Sequence, residues 1–197
     1  MIDISKKVYN CINQSIDVKN KLLKSKSFNK DFIKIVNAVT ETLKKKGKII
    51  TCGNGGSASD AQHMTSEFMV RLRKDFKRPP IPCITLANDS PLLTAHSNDL
   101  NFNSIFSRSI KALGKKNDCL IVFSTSGKSK NIINILRAAR SLKITSVGFL
   151  GNNGGEALNF CDYPLIIPSN KTSHIQEAHI TLVHILVEIV EEILTEK

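Results

Sequence analysis

Five short segments that are apolar along their whole length limit the folds open to this chain. Between them lie longer segments in which apolar residues recur at helical spacing. A strand that is apolar on both sides must be covered on both sides, as in parallel sheets joined by helices. The sequence therefore predicts an α/β fold, a three-layer αβα sandwich with a five-stranded parallel sheet. The strands are expected near residues 48–52, 83–87, 119–123, 146–150 and 164–168.

The intervening segments predict the helices that cover this sheet. In the second of them, Ile33, Val36, Val39 and Leu43 share one helical face. Helices 1–24 and 29–46 precede the first strand, so we expect them to pack on the sandwich or on a neighbouring subunit. The whole chain, 1–197, is expected to be one domain. The remaining helices are predicted at 57–74, 90–97, 101–113, 129–142, 154–161 and 173–195.

Composition agrees with one globular core and excludes several protein classes. The chain has 197 residues, of which 41% are hydrophobic, so it is neither disordered nor collagen-like. No apolar run reaches about 18 residues and the N-terminus lacks a signal-peptide pattern, so we expect a cytoplasmic protein without membrane contact. The five cysteines are dispersed, which argues against disulfides; Cys52, Cys83 and Cys119 are expected in the core.

The strong positive charge does not by itself identify a partner. Net charge is +11, but the basic residues are dispersed, and the chain has no Trp and only 2 Tyr to stack on bases. We therefore expect no nucleic-acid partner. A solvated basic surface and attraction of phosphorylated small molecules both remain open.

Two loops that follow predicted strands carry the pattern of an anion site. Gly53–Ser57 follows the first strand and Ser124–Ser129 follows the third, and each opens a helix. Glycines allow close backbone approach, and a helix N-terminus offers free N–H groups to an anion. Neither loop has the GxGxxG or the Gly-Lys-Ser/Thr pattern of nucleotide sites. Ordinary turn and cap chemistry would explain one such loop, whereas two at the same sheet edge favour a sugar phosphate or similar metabolite.

Two predicted helices carry titratable side chains at helical spacing. His63 and Glu67 are four residues apart, and Arg71 is expected to extend their stripe. On the last helix Gln176 and His184 are separated by about 12 Å, so they could meet one ligand only from opposite ends. A lone histidine on such a helix is more often structural. Together, however, His63, Glu67, Gln176 and His184 would suit acid–base chemistry or a zinc ion.

Four blocks containing these residues resemble the sedoheptulose 7-phosphate isomerases, or phosphoheptose isomerases, of the sugar isomerase (SIS) fold. The resemblance extends from about residue 30 to the C-terminus, with the blocks in family order. They are Cys52–His63 with Glu67, Leu93–Ala95 with Asn98 and Asp99, Ser124–Ser129, and His174–Ile180 followed by His184–Leu186.

The resemblance implies an activity and a role for each matching residue. The expected reaction converts D-sedoheptulose 7-phosphate to D-glycero-D-manno-heptose 7-phosphate, the first step toward the nucleotide-activated heptoses of bacterial lipopolysaccharide or capsule. Glu67 would be the general base and His184 the general acid. The other implied substrate-binding residues are Asn54, Gly55, Gly56, Ser57, Asn98, Asp99, Ser124, Thr125, Ser126, Ser129 and Gln176.

The resemblance also implies one zinc ion per subunit and a homotetramer with active sites at subunit interfaces. The matching zinc ligands are His63, Glu67, Gln176 and His184. The chain departs from the family at Lys128, where Asn is commoner, at Ser173, where Ala or Asp is common, and at His174, where Arg usually stands.

Three other functions share parts of this pattern. A non-catalytic SIS-fold protein that binds the bacterial replication initiator lacks the equivalents of Glu67 and His184, so their presence here favours an enzyme. A sugar-phosphate-sensing regulator would need a DNA-binding domain for which 197 residues leave no room. Isomerisation of another sugar phosphate is the third alternative.

Overall fold

A computed structural model, which describes residues 2–195, contains the predicted five-stranded parallel sheet. The strand order is β2-β1-β3-β4-β5, and every neighbouring pair is parallel. The strands are β1 (Ile49–Gly53), β2 (Cys83–Thr85), β3 (Cys119–Ser124), β4 (Thr145–Gly151) and β5 (Tyr163–Ile167). The sequence prediction of five parallel strands is therefore confirmed.

Seven α-helices surround the sheet within residues 2–195. The segment predicted as a short helix at 154–161 is a 3-10 turn over Glu156–Phe160, and a second 3-10 turn covers Phe102–Ser104. The helices are α1 (Ile4–Lys24), α2 (Phe28–Lys44), α3 (Gly56–Met69), α4 (Ser90–Asp99), α5 (Ile105–Leu113), α6 (Lys130–Ser141) and α7 (Thr172–Thr195).

Side chains of β3 show why the strands are apolar throughout. Ile121 and Phe123 point into a core shared with α2, α3 and α7, whereas Leu120 and Val122 point into a core shared with α5 and α6. Alternate residues along a strand face opposite sides of the sheet, so both sets must be apolar when both sides are covered. The expected three-layer αβα sandwich is confirmed.

The two N-terminal helices differ in how they pack. Helix α2 buries Phe32, Ile35, Val36 and Val39 in the core, whereas Ile33 of the predicted apolar face is exposed. Helix α1 buries only Val18 and Leu22. It leaves a row of large apolar side chains exposed, namely Ile4, Val8, Tyr9, Ile12, Ile16 and Leu23.

Helix α3 ends earlier than the predicted residue 74. It stops at Met69, and residues 70–82 run irregularly to β2. Arg73 in this segment pairs with carboxylates of α7, so tertiary ion pairs replace the local helical pattern. Arg71 is exposed and donates to the Lys74 carbonyl. The expectation that Arg71 extends the His63–Glu67 stripe is therefore wrong.

Two further predictions concern cysteines and membranes. All five cysteines have free thiols, and Cys52, Cys83 and Cys119 are buried as predicted. Among residues 2–195, every helix falls short of the length or hydropathy required to cross a membrane. That the full chain, 1–197, forms a single domain stays a prediction.

One histidine lies entirely inside the core beneath β3 and β4. His179 of α7 is 0% exposed and meets the rings of Phe123 and Phe149 edge-on, each at 5.9 Å between centroids. Burial lowers the pKa of the His179 imidazole to about 4, and the nearby Leu150 backbone offsets only part of this effect. The ring is therefore neutral in the folded protein at pH 7.

This burial predicts a loss of stability in mild acid. The unfolded chain protonates this imidazole below its ordinary pKa of about 6.5. The folded chain protonates it only near its own lowered pKa. The free energy of unfolding therefore falls as the pH drops from the unfolded-state pKa towards the folded-state pKa. We expect His179 to account for about 2 kcal/mol of the loss between pH 7 and pH 5. Urea unfolding of wild type and His179→Leu at both pH values tests this. Equal losses in the two proteins would contradict it.

Candidate active site

The two glycine- and serine-containing loops lie side by side in the folded protein. Strands β1 and β3 are direct neighbours, so the loops that follow Gly53 and Ser124 emerge at the same edge of the sheet. The strand order reverses here, because β2 lies on one side of β1 and β3, β4 and β5 lie on the other. Crevices at such reversal points are where open parallel sheets bind ligands.

The first loop turns directly into α3. The Asn54 carbonyl accepts from the Ser57 amide, and the Gly55 carbonyl accepts from the amide of Ala58. Because Gly56 has no Cβ, the Gln176 amide can approach it closely; a Cβ there would lie 2.5 Å from Nε2 of Gln176. The N-terminus of α3 is thus held against α7, with Ser57 buried.

The second loop is shaped by its own hydroxyls. Ser124 Oγ accepts from the Gly127 amide at 3.1 Å, and Ser126 Oγ accepts from the Lys128 amide at 3.2 Å. Gly127 has φ +62°, and a Cβ there would collide with the Gly154 carbonyl. Ser129 then precedes α6. The loop therefore leads into the free N–H groups of a helix start, as expected for an anion site.

An amide pair that sequence reasoning missed joins the two loops. Asn54 donates to Oδ1 of Asn131 at 2.9 Å, and Asn131 donates back to Oδ1 of Asn54 at 2.8 Å. Asn131 is 2% exposed and lies in the first turn of α6. Its position two residues after Ser129 was the available signal, but the partner 77 residues away could not be read from spacing.

The predicted titratable residues converge between α3 and α7. His63 Nε2 lies 3.2 Å from Oε1 of Glu67 and 2.9 Å from Nε2 of His184. One ligand atom from each of these three residues lies within 4.8 Å of the other two. Glu67 has 16% of its side chain exposed, whereas His63 has 42%, so the carboxylate forms the inner side of the cluster.

This cluster suits either proton transfer or metal binding. When both imidazoles are neutral and hydrogen-bonded to each other, one Nε2 donates and the other accepts. Two imidazole nitrogens and one carboxylate oxygen also form a donor set typical of zinc sites. Gln176 lies two helical turns before His184, and its amide lies against Gly56 and not against the His63–Glu67–His184 cluster.

A shallow cavity of about 420 Å³, wide open to solvent, lies between α3 and α7 next to this cluster. Gln176 of α7 and His63 of α3 both line it, so side chains that lie far apart in the sequence face the same cavity. Ser173, one of the departures from the family pattern, also lines it. The full lining is Ser59, Asp60, His63, Ser173, Gln176, Glu177 and Ile180.

Asp60 is a cavity residue that was not predicted. It is 8% exposed, and its Oδ2 has no hydrogen-bond partner among residues 2–195. Burial raises the pKa of the Asp60 carboxyl to about 6. Its position three residues before His63, on the same helical face, was a signal that sequence reasoning did not use.

Other predicted residues lie away from this cavity. Asn98 and Asp99 are exposed at the C-terminal end of α4 and bond to each other, outside the cavity lining. His174 is buried and lines a different groove, which runs between α1 and the segment before α7. Lys128 is exposed on the second loop.

Comparison with known proteins places this geometry in a family. The SIS domain pattern matches residues 15–151. A phosphoheptose isomerase of Clostridium acetobutylicum is 44% identical over 181 residues, which cover 92% of this chain and 91% of that protein.

Solved structures agree with the sequence match. The phosphoheptose isomerase structure from Francisella tularensis is 31% identical, with a TM-score of 0.91 over 97% of this chain and 100% of that one. The structure from Neisseria gonorrhoeae is 30% identical, with a TM-score of 0.88 over 96% of this chain and 99% of that one. The similarity therefore includes α1 and α2 as well as the sandwich.

Proposed function

Because this chain belongs to the SIS domain family, with phosphoheptose isomerases as its relatives, we propose that it converts D-sedoheptulose 7-phosphate to D-glycero-D-manno-heptose 7-phosphate. The observation that carries this proposal is the convergence of Glu67 and His184 beside a cavity and near two adjacent anion-type loops. An initiator-binding role has no support, since a protein without chemistry does not require such a dyad.

The two loops would hold the phosphate of the substrate. Hydroxyls of Ser57, Ser124, Thr125, Ser126 and Ser129, with the N-termini of α3 and α6, supply neutral donors and favourable helix dipoles. Phosphate is at one end of the sugar chain and the reacting carbons are at the other. Binding energy at the phosphate can therefore position C1 and C2 at the cluster.

Glu67 and His184 would carry out the proton transfers. Glu67 removes the proton from C1 of the ketose while His184 donates a proton to O2, which gives the enediol. His184 then accepts the proton from O1 while Glu67 delivers a proton to C2, which gives the aldose and restores both residues. In enzymes generally, a positioned acid–base pair increases the rate of such proton transfers by about 10²–10⁴-fold.

A zinc ion is the cofactor that these residues fit best. His63, Glu67 and His184 would hold it, with Gln176 as the further candidate ligand. When bound, it would polarise or orient the oxygens on C1 and C2. The three converging donors in the structure support this assignment.

The exposed apolar row of α1 supports self-association. Exposed rows of this kind usually mark a protein interface, because they gain free energy when removed from water. We propose that copies of this chain assemble as a homotetramer. The cytoplasmic location, and use of the product for lipopolysaccharide or capsule heptose, likewise stay proposals.

The catalytic assignment predicts a specific isotope result. In D₂O, wild type is expected to convert sedoheptulose 7-phosphate to heptose 7-phosphate carrying deuterium at C2, as followed by NMR. Glu67→Gln removes the base while preserving size, so kcat should fall by at least about 10²-fold. Ser66→Ala, on the neighbouring exposed position of α3, is the matched control and should retain activity.

Two outcomes would count against this assignment. Absence of product with wild type, with zinc supplied or removed, would overturn the isomerase proposal. Equal turnover by Glu67→Gln would keep the reaction and discard Glu67 as its base.

The metal assignment is tested by binding rather than turnover. Chelator-stripped protein should take up one zinc ion per chain in isothermal titration calorimetry. His63→Ala removes one donor, so affinity should weaken by at least about tenfold, whereas Ser66→Ala should bind as wild type does. Identical affinity in His63→Ala and wild type would contradict the assignment.

The assembly is tested by mass in solution. Multi-angle light scattering should give about four times the 21.8 kDa of one chain. Ile12→Asp places a charge in the apolar row of α1 and should reduce the mass. Asn10→Asp adds the same charge elsewhere on α1 and should leave it unchanged. A wild-type mass of one chain would refute the tetramer.

A further inference from the structure

A buried ion pair that the proposed reaction does not use directly joins the segment before β2 to α7. Nε of Arg78 lies 2.6 Å from Oε1 of Glu191, and the side chains are 2% and 0% exposed. Buried charge pairs are expensive to desolvate, and apolar residues of similar volume often serve stability as well or better. The presence of this pair therefore calls for a role besides stability.

Arg78 makes a second contact that points to this role. Its NH2 group donates to the backbone carbonyl of Glu67 at 2.7 Å. Helix α3 ends at Met69, so the Glu67 carbonyl belongs to the last turn, where helical N–H partners are missing. Arg78 caps this carbonyl, and the Ile81 amide caps that of Phe68 at 3.1 Å. The end of α3 that carries Glu67 is thus held by residues 78–81.

Glu191 connects the same contact to the other proposed catalytic residue. It lies on α7 seven residues after His184, which is about two helical turns along the same face. One guanidinium therefore bridges the backbone of Glu67 on α3 and a carboxylate of the helix that carries His184. Because the guanidinium is a rigid planar fork, its two contacts restrict the relative position of the two helices.

We propose that Arg78 and Glu191 are positioning residues that hold Glu67 in register with His184. This inference rests on the proposed isomerase function and assigns a purpose to the irregular 70–82 segment. The pair touches neither the cavity lining nor the His63–Glu67–His184 ligand atoms, and it acts through the backbone of Glu67.

Neighbouring ion pairs provide an internal comparison. Arg73 reaches Glu192 at 2.9 Å and Glu188 at 3.4 Å, and both carboxylates are about half exposed. Its Nε lies 4.0 Å from Oε2 of Glu191, beyond hydrogen-bonding distance. Arg73 stacks over the Phe76 ring at 4.2 Å. It anchors the same segment to α7 but does not bond to Glu67, so its loss should leave the dyad in place.

The decisive experiment replaces the pair with apolar residues of similar size. Arg78→Met combined with Glu191→Leu removes both charges of the buried pair, and Arg73 keeps Glu188 and Glu192 as partners, so the protein should fold with a melting temperature near that of wild type. The carbonyl bond to Glu67 is nevertheless lost. We expect kcat to fall about tenfold to a hundredfold and KM to change by no more than about twofold. Arg73→Met, the control, should retain wild-type kcat.

A second readout separates this proposal from the function on which it rests. Nitrogen-15 NMR of the His63 and His184 rings, recorded without substrate at one fixed pH, should show changed Nε2 chemical shifts in the double variant and not in Arg73→Met, because the 2.9 Å contact between the two rings depends on the register of α3 and α7. If wild type lacks isomerase activity, this readout still tests the positioning role. Wild-type kcat and unchanged ring chemical shifts in a folded double variant would overturn it. Should the double variant fail to fold, Arg78→Lys keeps the buried charge and is expected to show the same kcat loss.

Discussion

The parallel pairing of β1 with β3 is the interaction on which the rest of this structure depends. Their neighbouring positions bring Gly53 and Ser124 to one edge of the sheet, although they are far apart in sequence. Both loops then open helices whose N-termini face the same crevice. The Asn54–Asn131 amide pair fixes the first loop to the start of α6, so the arrangement of the two loops is set by backbone topology and one reciprocal contact.

The end of the candidate site that holds His63, Glu67 and His184 depends instead on the packing of α3 against α7. The two helices lie on the same face of the sheet and share one core. At their N-terminal ends the missing Cβ of Gly56 lets Gln176 approach, and further along His63 and Glu67 meet His184. The Arg78–Glu191 pair holds the far end of the same interface. Three levels of contact thus fix the angle between the two helices that carry the candidate site residues.

Sequence patterns predicted the elements better than their ends. The strands were predictable because burial on both faces demands continuous apolar residues, and all five lie where expected. The end of α3 was not, because ion pairs from Arg73 and Arg78 to α7 outweigh the helical pattern of residues 70–74. The same contacts explain why Arg71 leaves the His63–Glu67 stripe. Asp60 was missed because its carboxylate becomes a site group only through burial.

The sequence by itself determined the fold class, the two phosphate-type loops and the candidate residues His63, Glu67, Gln176 and His184. These follow from local rules, namely periodicity, glycine placement and helical spacing. The tertiary structure decided which of them meet. It joined His63, Glu67 and His184 within one cluster, placed Gln176 at the other end of the cavity and left Asn98 and Asp99 exposed. Such convergence depends on packing between helices that lie more than a hundred residues apart in the sequence. The spacing of residues along the chain does not show which helices pack together.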